Sequence, residues 1–245
     1  MELPIVLADT EDTSVINMIV SDSGAGKSLF SSVLVKHLLE NYPDLVVVWA
    51  DLEYSNVISK QRNIDQLLEE YKDRFFMITP EIVMALREAK NNVNHKTTAS
   101  VVIRSIEKIQ EGTQKRVFCI IDSLEDFLED TSNDTETKRH LFRMLSMRGI
   151  TFMINHHVNK DSSKTTAFRF RGSMVLKAKT TSMLFITKKV QEDDLTVAME
   201  LLVAKIRTAY KPVDKLTIRF DTTTWDIKDV ELASDIEEMK ILRSL

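Results

Sequence analysis

Apolar runs alternate along this chain with stretches whose apolar positions recur every three to four residues. Residues 15–20 (Val-Ile-Asn-Met-Ile-Val) and 45–50 (Leu-Val-Val-Val-Trp-Ala) are largely apolar and rich in β-branched side chains. They predict strands buried on both faces. Residues 75–78, 117–121 and 150–154 read the same way. Between them, 27–40, 64–71 and 136–147 carry helical spacing, and Pro80 predicts the first turn of a further helix. Residues 97–111 predict another helix, with Val101, Val102, Ile103, Ile106 and Ile109 spaced to face a core. Strands alternating with helices require parallel pairing and a sheet covered on both faces. After about residue 180 the pattern changes. Residues 183–187, 196–204 and 215–220 predict strands with short polar connectors and little helix between them. The expected fold class is α/β, a mainly parallel central sheet extended by C-terminal antiparallel strands. No internal repeat, low-complexity tract or Pro/Gly/Ser linker interrupts it, so residues 1–245 are read as one domain. Residues 236–245 have the pattern of an amphipathic helix.

Composition changes this picture in five places. No run of about eighteen apolar residues occurs, so no membrane-spanning helix is expected. The start, Met-Glu-Leu-Pro, lacks the basic and apolar character of a secretory signal. Cys119 is the sole cysteine, which excludes a cysteine metal site and fits a reducing, cytoplasmic setting. The formal charge of −4 provides no global attraction for nucleic acid, so any such contact must come from a local patch. Only five glycines occur, and two of them, Gly24 and Gly26, lie two positions apart. That short loop needs backbone freedom that the rest of the chain avoids.

The loop reads Ser21-Asp22-Ser23-Gly24-Ala25-Gly26-Lys27-Ser28 and ends in a helix that continues through Leu29. A strand before it and a helix after it are the context of a phosphate-binding P-loop. The backbone N–H groups from Ser21 to Leu29 would cradle the phosphates of a nucleoside triphosphate, and the helix dipole adds to them. Lys27 would reach the β and γ phosphates, and Ser28 would ligate Mg²⁺. Ser21 stands where the first glycine of such loops usually stands. The plainer alternative is a turn that happens to contain Gly-Lys-Ser.

Further candidates sit at the ends of other predicted strands, where parallel sheets bind ligands. Asp122 ends an apolar strand and would hold Mg²⁺ through water; a simple strand-end cap is the alternative. In Asp51-Leu52-Glu53, Glu53 is the candidate base that orients water against the γ-phosphate, with Asp51 second; a solvated acidic turn is the alternative. Asn155-His156-His157 follows another strand. A polar side chain there would report the γ-phosphate, and the choice between His156 and His157 stays open. The remaining histidines, His37, His95 and His140, show no zinc-ligand spacing.

In this order the features resemble the RecA-like ATPases: RecA recombinases, DnaB-type ring helicases and KaiC-like proteins. The resemblance covers residues 15–228. Ser21 is similar to the DnaB-type loop, which also lacks that glycine. Ala50-Asp51-Leu52-Glu53 resembles the segment carrying the family's catalytic glutamate. Ile120-Ile121-Asp122-Ser123 looks like the family's Asp-Ser at the metal-binding strand. Met153-Ile154-Asn155-His156 resembles the recombinase strand ending in Asn-Gln, with His156 in the glutamine's place and so the expected sensor. The resemblance implies a three-layer RecA-like fold, ATP and Mg²⁺ as cofactors, ATP hydrolysis, and a homo-oligomeric ring or filament.

Leu202-Val203-Ala204-Lys205-Ile206-Arg207 followed by Lys215-Leu216-Thr217-Ile218-Arg219-Phe220-Asp221 looks like the family's basic hairpin. That likeness implies that Lys205 and Arg207, on the same side of one strand, reach the neighbouring subunit's ATP. The alternative is a pair of solvent-facing charges protecting an edge strand. The sequence shows no counterpart of the ring helicases' N-terminal domain or of the bacterial recombinases' extra C-terminal domain, which leaves the mode of assembly open.

Between residues 160 and 179, six basic residues (Lys160, Lys164, Arg169, Arg171, Lys177 and Lys179) face one acid, Asp161. Phe168 and Phe170 alternate with the arginines. Basic side chains neutralise phosphates, and aromatics stack on unpaired bases. In RecA-like proteins the corresponding loop contacts single-stranded DNA, so Lys160, Lys164, Phe168, Arg169 and Arg171 are the expected DNA contacts. The alternative is a solvated loop whose phenylalanines dock on the core. Residues 125–136 are strongly acidic and are expected to be a solvated surface or to meet a basic partner. The leading expectation is a DNA-dependent ATPase of recombination, repair or replication. The alternative is a nucleotide-gated, KaiC-like regulatory ATPase without DNA.

Overall fold

The computed structural model describes residues 7–8, 14–53, 63–88, 97–128, 134–157, 178–206 and 215–233. Its elements are, in chain order, β1 (Val15–Ser21), α1 (Lys27–Asn41), β2 (Leu45–Asp51), α2 (Ile64–Glu70), β3 (Phe75–Ile78), α3 (Pro80–Glu88), α4 (Thr98–Thr113), β4 (Arg116–Asp122), α5 (Leu124–Leu128), α6 (Asp134–Ser146) and β5 (Ile150–His157). Four more strands follow: β6 (Ser182–Gln191), β7 (Thr196–Ile206), β8 (Lys215–Asp221) and β9 (Ile227–Ala233).

These strands form one nine-stranded sheet in the order β3-β2-β4-β5-β1-β6-β7-β8-β9. Pairing is parallel from β3 to β6 and antiparallel from β6 to β9. The central strands are apolar on both sides because both faces are covered. Along β1, Ile16, Met18 and Val20 enter one core with Val102 and Ile106 of α4 and Leu141 and Met144 of α6. Ile19 enters the other with Phe30, Leu34 and Leu38 of α1 and Leu67 of α2. This three-layer arrangement is the RecA-like α/β fold.

The arrangement matters for function through its registers. Ser21 pairs with His157 at the ends of β1 and β5. Asp51 pairs with Asp122 at the ends of β2 and β4. Four polar residues therefore arrive together at the carboxyl edge of the parallel sheet.

Three features depart from the sequence reading. The acidic stretch after Ser123 is not a plain solvated surface: α5 buries Leu124, Phe127 and Leu128 in the core. Their one-four-five spacing is a helical face that the surrounding acids obscure. β5 continues three residues past 154, to His157. β9 adds a ninth strand at the sheet edge, paired with β8. The predicted helix over 236–245 lies outside the described residues. Among the described residues, no helix is long and apolar enough to cross a membrane.

Candidate functional site

The loop after β1 is shaped by its two glycines. Gly24 has φ +78° and Gly26 has φ +102°, the latter as the residue that caps α1. These are conformations that L side chains avoid. A Cβ on Gly26 would lie 2.9 Å from Met199 Cε and 3.1 Å from Lys189 Cδ. The β6–β7 hairpin thus backs the loop from outside, and Lys189 Nζ donates to the Gly24 carbonyl at 3.3 Å. Lys27, the first residue of α1, is buried and folds its amine back over the loop. It donates to the Ser21 carbonyl (3.4 Å), Ser21 Oγ (3.3 Å) and the Asp22 carbonyl (3.2 Å). Ser21 thereby offers the lysine a hydroxyl that glycine lacks. Burial lowers the Lys27 pKa, and the nearby charges of Asp122, Glu53, Glu125 and Asp22 act against that fall.

Asp122 is 1% exposed, and among the described residues neither of its carboxylate oxygens has a hydrogen bond of ordinary geometry. Burial pushes its pKa up; polar contact with Ser28 and Asn155 counters this, Glu53 adds to it, and Lys27 counters it. A buried carboxylate with open lone pairs, beside a serine hydroxyl and near an ammonium, is suited to a divalent cation that carries waters and phosphate oxygens. Magnesium therefore fits Ser28 and Asp122. Among the described residues, no cluster of three His, Cys, Asp or Glu side chains could hold a metal unaided.

The two candidate bases sit at different depths. Asp51 is buried at 3% exposure, in register with Asp122. Glu53, two residues on, stands at the rim with its side chain 24% exposed. Its Oε1 accepts from His157 Nε2 at 3.1 Å. That hydrogen bond leads the causes that lower the Glu53 pKa; burial opposes it, and the charge His157 carries when its ring is protonated, Ser123 and Lys27 support it. The other ring nitrogen, His157 Nδ1, lies 3.0 Å from Lys27 Nζ.

Because β5 runs to His157, its side chains alternate through the last three residues. Asn155 points toward α1, donating to Ser31 Oγ at 3.0 Å, and His157 shares that side with the phosphate loop. His156 takes the opposite side. It is fully buried, with Nδ1 3.1 Å from Glu125 Oε1 of α5. The expected sensor His156 is therefore turned away from the loop, and His157 stands beside Lys27 in its place. The same Glu125 oxygen also accepts from the His157 backbone N–H at 3.4 Å. Burial raises the Glu125 pKa, but the hydrogen bond and charge of His156, its own backbone N–H and the charge of His157 outweigh it, holding the carboxyl at about 2. Sequence reading missed Glu125, which looked like one acid among many.

Residues 12–221 match the model of the KaiC-type ATPase family. The chain belongs to the KaiC family of ATPases. No curated protein matches it significantly. Among solved structures, the KaiC-like protein PH0186 of the hyperthermophilic archaeon Pyrococcus horikoshii OT3 superposes with a TM-score of 0.58. The match covers 90% of this chain and 97% of that one at 12% identity, a likeness of fold. The KaiC-type assignment places the chain among the RecA-like P-loop ATPases.

In this KaiC-family chain Lys205 lies away from its own phosphate loop. It pairs with Met183, which pairs with Met18. Met18 is three residues short of Ser21, about 10 Å along the strand, and β7 is two strands, about 10 Å, to the side. Arg207 and the expected DNA contacts Lys160, Lys164, Phe168, Arg169 and Arg171 lie outside the described residues. Lys179, at the end of the basic stretch, places its amine 4.9 Å from the centre of the Phe142 ring.

Proposed function

We propose that this KaiC-family ATPase hydrolyses Mg²⁺-ATP on residues 21–29 and couples that cycle to single-stranded DNA through the basic stretch at 160–171. The observation that supports it most is the meeting of Lys27, Glu53 and the open carboxylate of Asp122 at one sheet edge. The loop amides and Lys27 bind the triphosphate. Ser28 and Asp122 hold Mg²⁺, which when bound neutralises charge on the phosphate oxygens. Glu53, its pKa lowered and its carboxylate at the rim, orients the attacking water. Lys205 and Arg207 serve the ATP of a neighbouring copy in a ring or filament; the distance of Lys205 from its own loop supports that reading.

The DNA reading is supported by the sequence of the basic stretch, which begins three residues after His157 in the chain. The KaiC-type family match favours equally a nucleotide-gated regulatory ATPase without DNA. One experiment separates them: phosphate release at low salt, with and without single-stranded DNA. The DNA reading expects stimulation; a rate that ignores DNA supports the regulatory reading. In either case Lys27→Ala is expected to lower turnover by about a hundredfold or more, as loss of a charge-stabilising donor does. Unchanged turnover in that variant would refute the site.

A further inference from the structure

β5 ends on a side chain that touches both the phosphate-loop lysine and the candidate base. His157 Nδ1 is 3.0 Å from Lys27 Nζ, and His157 Nε2 is 3.1 Å from Glu53 Oε1. An ammonium has no lone pair and a carboxylate has no proton to give. Lys27 therefore donates to Nδ1, and Nε2–H donates to Glu53. A single neutral tautomer satisfies both contacts, and the two ends of the line carry opposite charges.

The imidazole is held in place from behind. Glu125 accepts from the His157 backbone N–H, and Asn155 ties the strand to Ser31 of α1. Lys27 has three protons and, among the described residues, four acceptors around it: Ser21 O, Ser21 Oγ, Asp22 O and His157 Nδ1. Three of the four belong to the loop itself and turn with it. Of these four, His157 is the one supplied by another strand, and its contact is the shortest. A phosphate that takes the Lys27 amine competes with it.

We propose that His157 is a tether that competes with nucleotide for Lys27 and, once displaced, stays on Glu53 to position it. This rests on the ATPase reading above. While Lys27 is tethered, the amine is turned from the phosphates, and part of the binding free energy goes into breaking the Lys27–His157 contact. After release, the imidazole keeps its bond to Glu53 and aims the carboxylate from a fixed strand end. His157 acts as a positioning residue, through Lys27 and Glu53.

The signature is a pair of opposite effects that a merely structural residue would not give. Affinity is read by titrating the full chain with a fluorescent ATP analogue and Mg²⁺, and turnover by phosphate release. His157→Ala is expected to bind the analogue about tenfold more tightly, the loss of one hydrogen bond to a charged group. It is expected to turn ATP over about tenfold or more slowly, for want of an oriented base. His157→Asn, too short to span Lys27 and Glu53, is expected to show the same pair and serves if the alanine variant does not fold. Equal or weaker binding by a folded His157 variant, with Lys27→Ala still abolishing binding, overturns the tether alone. Failure of the unmodified chain to bind the analogue overturns the ATPase reading and the tether together.

Discussion

At Gly26 the absence of one methyl group decides whether the phosphate loop closes. Its φ of +102° is costly for an L side chain, and the space a Cβ would take is held by Met199 and Lys189. Gly26→Ala is expected to cost roughly 1–3 kcal/mol in backbone strain and to weaken nucleotide binding as the hairpin is pushed back. Gly24→Ala, with φ +78° and nothing within 4 Å of the added carbon, is expected to cost less. Thermal melts with and without Mg²⁺-ATP check both; equal behaviour of the two variants would refute the argument. This loop was legible in the sequence because phosphate binding dictates residue types at fixed spacing. The histidine was not. With β5 read as ending at 154, residues 155–157 looked like a loop, and alternation could not be applied to them. Three further residues of strand decide that His157, and not His156, meets Lys27.

At the scale of elements, α5 holds the end of β5. Its Glu125 binds the His156 ring and the His157 backbone, so a helix that looked like acidic surface fixes a strand end at the site. The Glu125 pKa, near 2 against an ordinary 4.5, makes this contact pH-dependent. A carboxyl held below its unfolded value adds stability above that value and loses it as pH falls through the folded one. The contribution, on the order of 3 kcal/mol at most, is thus expected to be complete above about pH 4.5 and to disappear toward pH 2. In His156→Ala the largest of the effects that oppose burial is removed from Glu125, leaving its backbone N–H and His157, so unfolding by acid is expected to begin at a higher pH. Urea melts between pH 3 and 7, followed by circular dichroism, measure this; coincident acid profiles would exclude it. The central strands and long helices were legible because burial on two faces or one leaves a clear periodicity. β9 escaped because an edge strand needs few apolar residues, and its Lys228, Asp229 and Glu231 interrupt the apolar pattern.

At the scale of the molecule, the sheet separates the two ends of the proposed chemistry. The phosphate loop lies at the carboxyl edge of β1, and Lys205 lies two strands away, level with Met18 in the middle of β1, so Lys205 stands off from its own loop. If the basic strand serves a neighbour, Glu53→Gln and Arg207→Ala should each be nearly inactive alone. Mixed, they should recover turnover at interfaces that pair an intact base with an intact arginine. Absence of recovery at every mixing ratio would count against action between copies.

The position of Met199 has one more consequence. It abuts Gly26, and Lys205 lies six residues further along the same continuous strand. β7 therefore spans about 20 Å between those two points, with a register shift against β6 just before Lys205, and is seated at one end against its own nucleotide loop. If copies assemble so that Lys205 serves the next copy's nucleotide, a shift of that loop would be carried along β7 to the next site. Occupancy would then spread from copy to copy, and turnover would rise with ATP concentration along a sigmoid curve instead of a hyperbola.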